Sequence, residues 1–460
     1  MKTEKIESIT SLKIGDYPDT PAEVFLQRMH NTKKRMRDAN LDFLVIFSDR
    51  EHCTNQEFLV GVGPRFEESL LIISQDASPK ILLGNECQYY SPDPDLGVEV
   101  ILFQDFSPAG QPRGQSKSLG SIMREAGIAA GQNVGCVGWK TYPDLNLSGG
   151  QECLDIPAFL ADELRYITGD SGKVSNAVDI FTSMVDGLRI ECSSLEIAQF
   201  EYAARIISNS VRATVDNFAV GKSERELEKH LESFGLPLTC HRMISFGEKV
   251  RRGLSSPSDR TSKLGDSYTV AIGAVGALSA RAGVIARDVN DLDKELQGFY
   301  PEFAFNYWSA VTKWYESLKV GELGGVVEAE VQKVIDRDLY TLMLNPGHNL
   351  HLEEWVGSIF KPENRETLNS GMVLQSDLIP ISKGPFCYSN AEDGVVLADE
   401  GLRLEIQNKY PEMWERINLR KAFLREKIGI ALHDSVLPIS DTCGIYAPYA
   451  LENDLVYVKG

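Results

Sequence analysis

Apolar residues follow a strand rhythm and a helix rhythm in turn along the first third of the chain. Residues 22–39 (AEVFLQRMHNTKKRMRDA) mix charged and apolar positions in a helix-permissive run. The short apolar run LDFLVIF (41–47) follows and predicts a strand. ESLLIIS (68–74) and PKILL (79–83) predict the two strands of a hairpin. VEVILF (98–103), a helix-like stretch over 114–126 and NVGCVGW (133–139) complete an α/β unit. This order predicts a mixed sheet carrying helices. At 168–176 (TGDSGKVSN) the composition turns to Gly, Ser, Asp and Lys, which predicts a linker. The expected domains are therefore 1–175 and 176–460.

Beyond that point the rhythm becomes helical. Ser193 and Glu196 predict a capping box for a long helix on which Ile197, Phe200, Ala204, Ile207 and Val211 recur at three- and four-residue steps. Ser223 and Glu226 repeat the device. A strand-like segment over 241–246, a hairpin within 270–287, a helical stretch over about 300–344 and strands near 347–355, 372–381 and 395–398 follow. No repeat of solenoid period is present.

Composition narrows the class. The chain has 460 residues, 43% of them hydrophobic and 25% charged, enough for two or three domains with sizeable cores. A net charge of −19 argues against nucleic acid as a partner, because phosphates are held by surplus Lys and Arg. No N-terminal apolar run predicts a secretory signal, and no apolar window predicts a membrane span. The eight cysteines are scattered without a C-x-x-C pair, so neither a zinc ribbon nor a disulfide framework is predicted, and a cytoplasmic location is expected.

Several segments taken in order carry a resemblance. They are NQEFLVG with RFEESLLI in the first part, then LRIECSSLEI (188–197), PSDRTSKLGD (257–266), PGH (346–348), SGMVLQSD (370–377) and AEDGVVL (391–397). Together they resemble the aminopeptidase P, prolidase and creatinase family. The resemblance implies an α+β fold: a pita-bread C-terminal domain preceded by a smaller α/β creatinase-type N-terminal domain. It also implies a homodimer and a cleft for a small molecule or peptide. Active members hold two divalent metals with two hairpin aspartates, one histidine and two glutamates, because hard oxygens plus one imidazole suit a pair of cations that activates bridging water.

Matched position by position, three of those five ligands keep a donor: His348, Asp377 and Glu392. The hairpin does not. With Gly273 on the family's glycine, Ala271 and Ala282 fall at the two aspartate positions, and residues 270–287 contain no carboxylate. The two proton-handling histidines correspond to Leu254 and Trp355. The resemblance thus implies a degenerate dinuclear site, with no cofactor expected, or at most a single divalent metal on His348, Asp377 and Glu392. Two alternatives stay open: a divergent C–N hydrolase using those three residues as catalytic groups, and a non-catalytic interaction module.

Each candidate also has a plainer reading. His348 can be a hydrogen-bonded core histidine, and Asp377 and Glu392 can pair with Arg281 or Arg287, since a buried acid without metal needs a cation. His351, Glu353 and Glu354 are candidates for a new one-metal site, though their spacing predicts alternating faces of a strand. Cys387 is a candidate nucleophile or a packed thiol, and Tyr388 a pocket wall or core residue.

Overall fold

A computed structural model describes residues 2–6, 15–142 and 147–459. The chain divides into two compact units, Asp19–Arg189 and Met1–Pro18 with Ile190–Gly460. The smaller unit is built on a six-stranded sheet in the order Glu99–Leu102, Lys80–Leu83, Ser69–Ser74, Phe43–Ser48, Asn133–Val137, Lys173–Asn176. Phe43–Ser48 lies centrally and is buried along its whole length, as its unbroken apolar run requires. It pairs antiparallel with Ser69–Ser74 and parallel with Asn133–Val137, so the sheet is mixed.

The stretch 168–176 is not a linker. The helix Ala158–Thr168 ends at Gly169 (φ +64°), a turn follows, and Lys173–Asn176 pairs parallel with Asn133–Cys136 as an edge strand. Turn-forming residues there close a sheet rather than separate domains, and Val174 packs on the core. The units meet in sequence between Pro18 and Asp19 and again between Arg189 and Ile190.

In the larger unit Ser193 and Glu196 form the predicted capping box, opening the helix Ser194–Asp216. Ile197, Phe200, Ala204, Ile207 and Val211 are all buried in its core. The second box, Ser223 with Glu226, opens only the short helix Glu224–Glu228. The expected continuous helix over 300–344 is two helices, Lys294–Ser317 and Gly324–Val334, with the strand Tyr340–Leu342 after them. Gly321, at φ +86°, sits in the break that separates them. Among the described residues no helix is long and apolar enough to cross a membrane.

Two antiparallel four-stranded sheets position the site. One runs Asn390–Glu392, Ala277–Val284, Ser267–Ala274, Leu238–Phe246; the other runs His348–Asn349, Val373–Gln375, Gly394–Leu397, Val436–Pro438. A single residue, Asp393, separates Asn390–Glu392 in the first sheet from Gly394–Leu397 in the second. Asp393 is fully buried and accepts from Arg281 Nη2 (2.6 Å), Thr442 Oγ1 (2.8 Å) and Ser279 Oγ (3.3 Å), which fixes the crossing point.

Candidate functional site

The hairpin Ser267–Ala274/Ala277–Val284 pairs in unbroken register from Ala274↔Ala277 to Ser267↔Val284. Directly paired residues share a face of a sheet, and successive residues alternate. Ala280 pairs with both Ala271 and Glu392, and Ala282 pairs with Asn390. Ala271, Ala280, Ala282, Asn390 and Glu392 therefore occupy one face. The two positions that the resemblance assigns to aspartates look the same way as the surviving acid, and they offer methyl groups. In the second sheet His348 pairs with Gln375, two residues before Asp377.

His348, Asp377 and Glu392 converge. Each offers one donor atom, and these lie within 4.8 Å of one another. His348 Nε2 is 3.9 Å from Asp377 Oδ2 and 3.8 Å from Glu392 Oε1. All three residues are buried, His348 to 1% exposure. Burial, then the neighbouring Glu392, pushes the Asp377 carboxyl up to about 8, against the pull of His348. Burial and then Asp393 push Glu392 up to about 8, while Asn390, Arg281 and Gln375 draw it down. Burial lowers His348, opposed first by Asp377. Desolvation thus dominates all three, keeping the acids protonated and the imidazole neutral over much of the physiological range.

Asp377 Oδ1, Glu392 Oε1, Gln375 Oε1 and Asn390 Oδ1 are buried without a hydrogen-bond partner among the described residues. Gln375 and Asn390 are the site residues that motif matching passes over. The signal for Asn390 was period two, since it stands two positions before Glu392 on the same strand face, and Gln375 stands two positions before Asp377 at the end of its strand. An imidazole nitrogen with two carboxylates and spare oxygens has the donor chemistry of one divalent cation. It does not fit a pair, because Ala271 and Ala282 supply no oxygen for a second ion.

The other candidates disperse. Arg281, paired across the strands with Val270 and Ala391, lies on the opposite face. Its guanidinium takes Asp393, and only the carbonyl of Glu392 (3.2 Å), so the expected pairing with the Asp377 or Glu392 carboxylate does not occur. Arg287 is exposed and holds Asp291 at 2.7 Å. His351 sits against Glu196 (3.4 Å) and edge-on to Phe200, away from the donor set. Residues 351–354 form a bend rather than the expected strand, the His351 N–H donating to the Glu353 carbonyl, so no alternating faces exist there. Glu354 contributes to His348 as a negative charge, the smallest of the influences on the imidazole.

Trp355 does reach the site. Its ring stacks on His348 with centroids 4.1 Å apart and planes 19° from parallel. Tyr388 is half-buried, and its hydroxyl is raised by burial and then by the charges of Asp377 and Glu392. Leu254 lies at the surface, 78% exposed, its carbonyl 2.9 Å from His241 Nε2. Cys387 is buried, and burial pushes its thiol up to about 12, the opposite of what a nucleophile needs.

No family model matches the chain, and no curated protein matches it. Solved structures do. The recombinant prolidase from Thermococcus sibiricus is 18% identical, with 83% of this chain and 96% of that one covered at a TM-score of 0.63. The Xaa-Pro dipeptidase from Bacillus anthracis is 15% identical, covering 82% and 96% at 0.60. The N-terminal domain of FACT complex subunit SPT16 from Cicer arietinum is 15% identical, covering 83% and 95% at 0.58. The architecture is therefore the α+β, pita-bread fold of prolidases and Xaa-Pro peptidases. That fold is equally the fold of a FACT subunit domain, so it does not by itself decide between peptidase and complex component.

Proposed function

We propose that this chain is a prolidase homologue that has lost dinuclear-metal hydrolysis and acts by binding a small molecule or peptide, with His348, Asp377 and Glu392 holding no more than one cation. The observation carrying this reading is the sheet face shared by Glu392 with Ala271, Ala280 and Ala282, where carbon replaces the oxygens that two bridged cations require. The stacked indole of Trp355 supports it, because it covers His348 at the position where the resemblance places a proton-handling histidine. A bound cation would supply Lewis acidity; the chain's own groups would orient it, with Trp355 excluding water from the imidazole.

The test is elemental analysis of protein purified without chelator, together with Xaa-Pro dipeptide and tripeptide assays in added Mn²⁺. At most one equivalent of metal and no turnover are expected. Two equivalents with turnover would sink the reading.

A second reading, a divergent C–N hydrolase, rests on the donor convergence within 4.8 Å and on two acids poised near pH 8, where proton transfer is efficient. It requires that His348→Ala abolish an activity found by screening amidino compounds, dipeptides and N-acyl amino acids. A mutant as active as the wild type removes it.

A further inference from the structure

A cavity of about 360 Å³ on the larger unit shares no lining residue with the His348 cluster, and its chemistry runs against that of the chain. Trp414, Asn418 and Lys421 come from the helix Pro411–Phe423, at steps of four and three that place them along one side. Arg425 continues the line on the wider turn Leu424–Ile428, and Arg403 joins from the helix Glu400–Lys409. Against these three cations stand Asp434 and Glu426. One positive charge is left over, in a protein of net charge −19.

The cations are held in place by the backbone rather than neutralised by it. Arg403 Nη1 donates to the Ala398 carbonyl (2.9 Å), Lys421 Nζ to the Asp434 carbonyl (2.7 Å), and Arg425 Nε to the Leu432 carbonyl (3.0 Å). The Asp434 carboxylate takes Arg425 at 2.7 Å and lies 4.0 Å from Lys421, and it is itself 73% exposed. Lys421 is buried, and its amine is pushed down to about 8, chiefly by burial and then by Arg425, with Asp434 opposing and Arg403 adding a smaller push. Crowded cations with like-charge repulsion are relieved by an anion, and Arg presents the forked donors that phosphate oxygens match. Trp414 packs part of its indole on the core and leaves the rest to the cavity. The volume lies within the range of about 300–1,000 Å³ usual for small-molecule sites.

We infer that this cavity is a binding site for a phosphate monoester attached to a flat ring, a nucleoside monophosphate, with Arg403, Lys421 and Arg425 on the phosphate and Trp414 against the ring. The test is calorimetric titration of the full chain with adenosine monophosphate, inorganic phosphate, adenosine and a phosphoserine peptide. Adenosine monophosphate should bind saturably and more tightly than phosphate, with adenosine weakest. Arg403→Gln should weaken adenosine monophosphate about tenfold, the loss of one charged hydrogen-bonding partner. Trp414→Leu should weaken the nucleotide and leave inorganic phosphate unchanged. Thermal melts check that both variants are folded; if Trp414→Leu is not, Trp414→Phe, which keeps a ring, should retain binding. No saturable heat with adenosine monophosphate at millimolar concentration overturns the inference. So does binding that ignores Arg403→Gln in a folded variant, or binding of the phosphopeptide alone.

Discussion

Asp377→Asn should make the metal-free protein more stable at pH 8 and leave it nearly unchanged near pH 4. Asp377 and Glu392 have ordinary values of 3.8 and 4.5 and stand at about 8 in the fold. Between those limits the unfolded chain has released both protons while the native state keeps them. The native state therefore binds more protons, and stability falls as pH rises. The contribution is fully present below about pH 4 and is lost on the way to pH 8. Each retained proton tilts stability by about 1.4 kcal/mol per pH unit. The two retained protons contribute about −2.7 kcal/mol per pH unit near pH 6, and removing one titrating carboxyl removes half of that contribution while leaving the opposing one of the neutral His348 in place. The assay is urea denaturation at pH 5, 6, 7 and 8 in chelator, wild type against Asp377→Asn, with Ile207→Val, a change in the buried apolar core, as a control that should lower stability equally at every pH. Parallel wild-type and Asp377→Asn profiles would refute the argument that these acids are buried, close and without a cation. Saturating Mn²⁺ should flatten the wild-type slope and not that of the variant, because a ligated carboxylate is already ionised.

Arg420 joins Glu201 (2.7 Å) and Asp441 (2.8 Å) in a buried cluster, so Arg420→Ala should cost about 3 kcal/mol in urea denaturation, because both acids lose their shared cation while Glu201 keeps Arg416 (2.7 Å) and Asp441 keeps Asn209 (2.7 Å). Ala271→Asp combined with Ala282→Asp should raise bound Mn²⁺ toward two equivalents by elemental analysis and lower the melting temperature in chelator, since two more buried acids then face Glu392 without a counter-charge. Unchanged metal content would show that the missing donors are not what limits the site. The dimer that the resemblance implies predicts a light-scattering mass of twice 51.1 kDa.

The fold was legible because its determinants are local and periodic. The apolar run of Phe43–Ser48 had to be a central strand, and the Ser193/Glu196 box had to open a helix whose three- and four-residue apolar spacing faces a core. The convergence of His348, Asp377 and Glu392 was legible only by matching motifs, since 44 residues separate the first from the last. The ion pairs were not legible. Arg281 and Glu392 look like partners in sequence, but pairing register puts their side chains on opposite faces, and register is set by strands more than 100 residues apart. The stretch 168–176 looks like a linker in sequence and is a turn and an edge strand in the fold, because Gly and Ser mark a tight turn as readily as a domain boundary.

The hairpin shows what the fold needs and what it does not. Eight successive residue pairs hold from Ala274↔Ala277 to Ser267↔Val284 with Ala271, Ala280 and Ala282 on the Glu392 face, so sheet pairing is satisfied by backbone hydrogen bonds and no carboxylate is required there. The same argument turns around at Asp377 and Glu392. Neither has an arginine on its carboxylate, both keep a buried oxygen without a partner among the described residues, and both are pushed to about 8 chiefly by desolvation. Packing alone is served better there by an apolar or amide side chain, because a buried acid in that state costs stability throughout the neutral range. The two acids thus cost the fold stability at neutral pH even with their protons held, and the single cation proposed for the site would offset that cost.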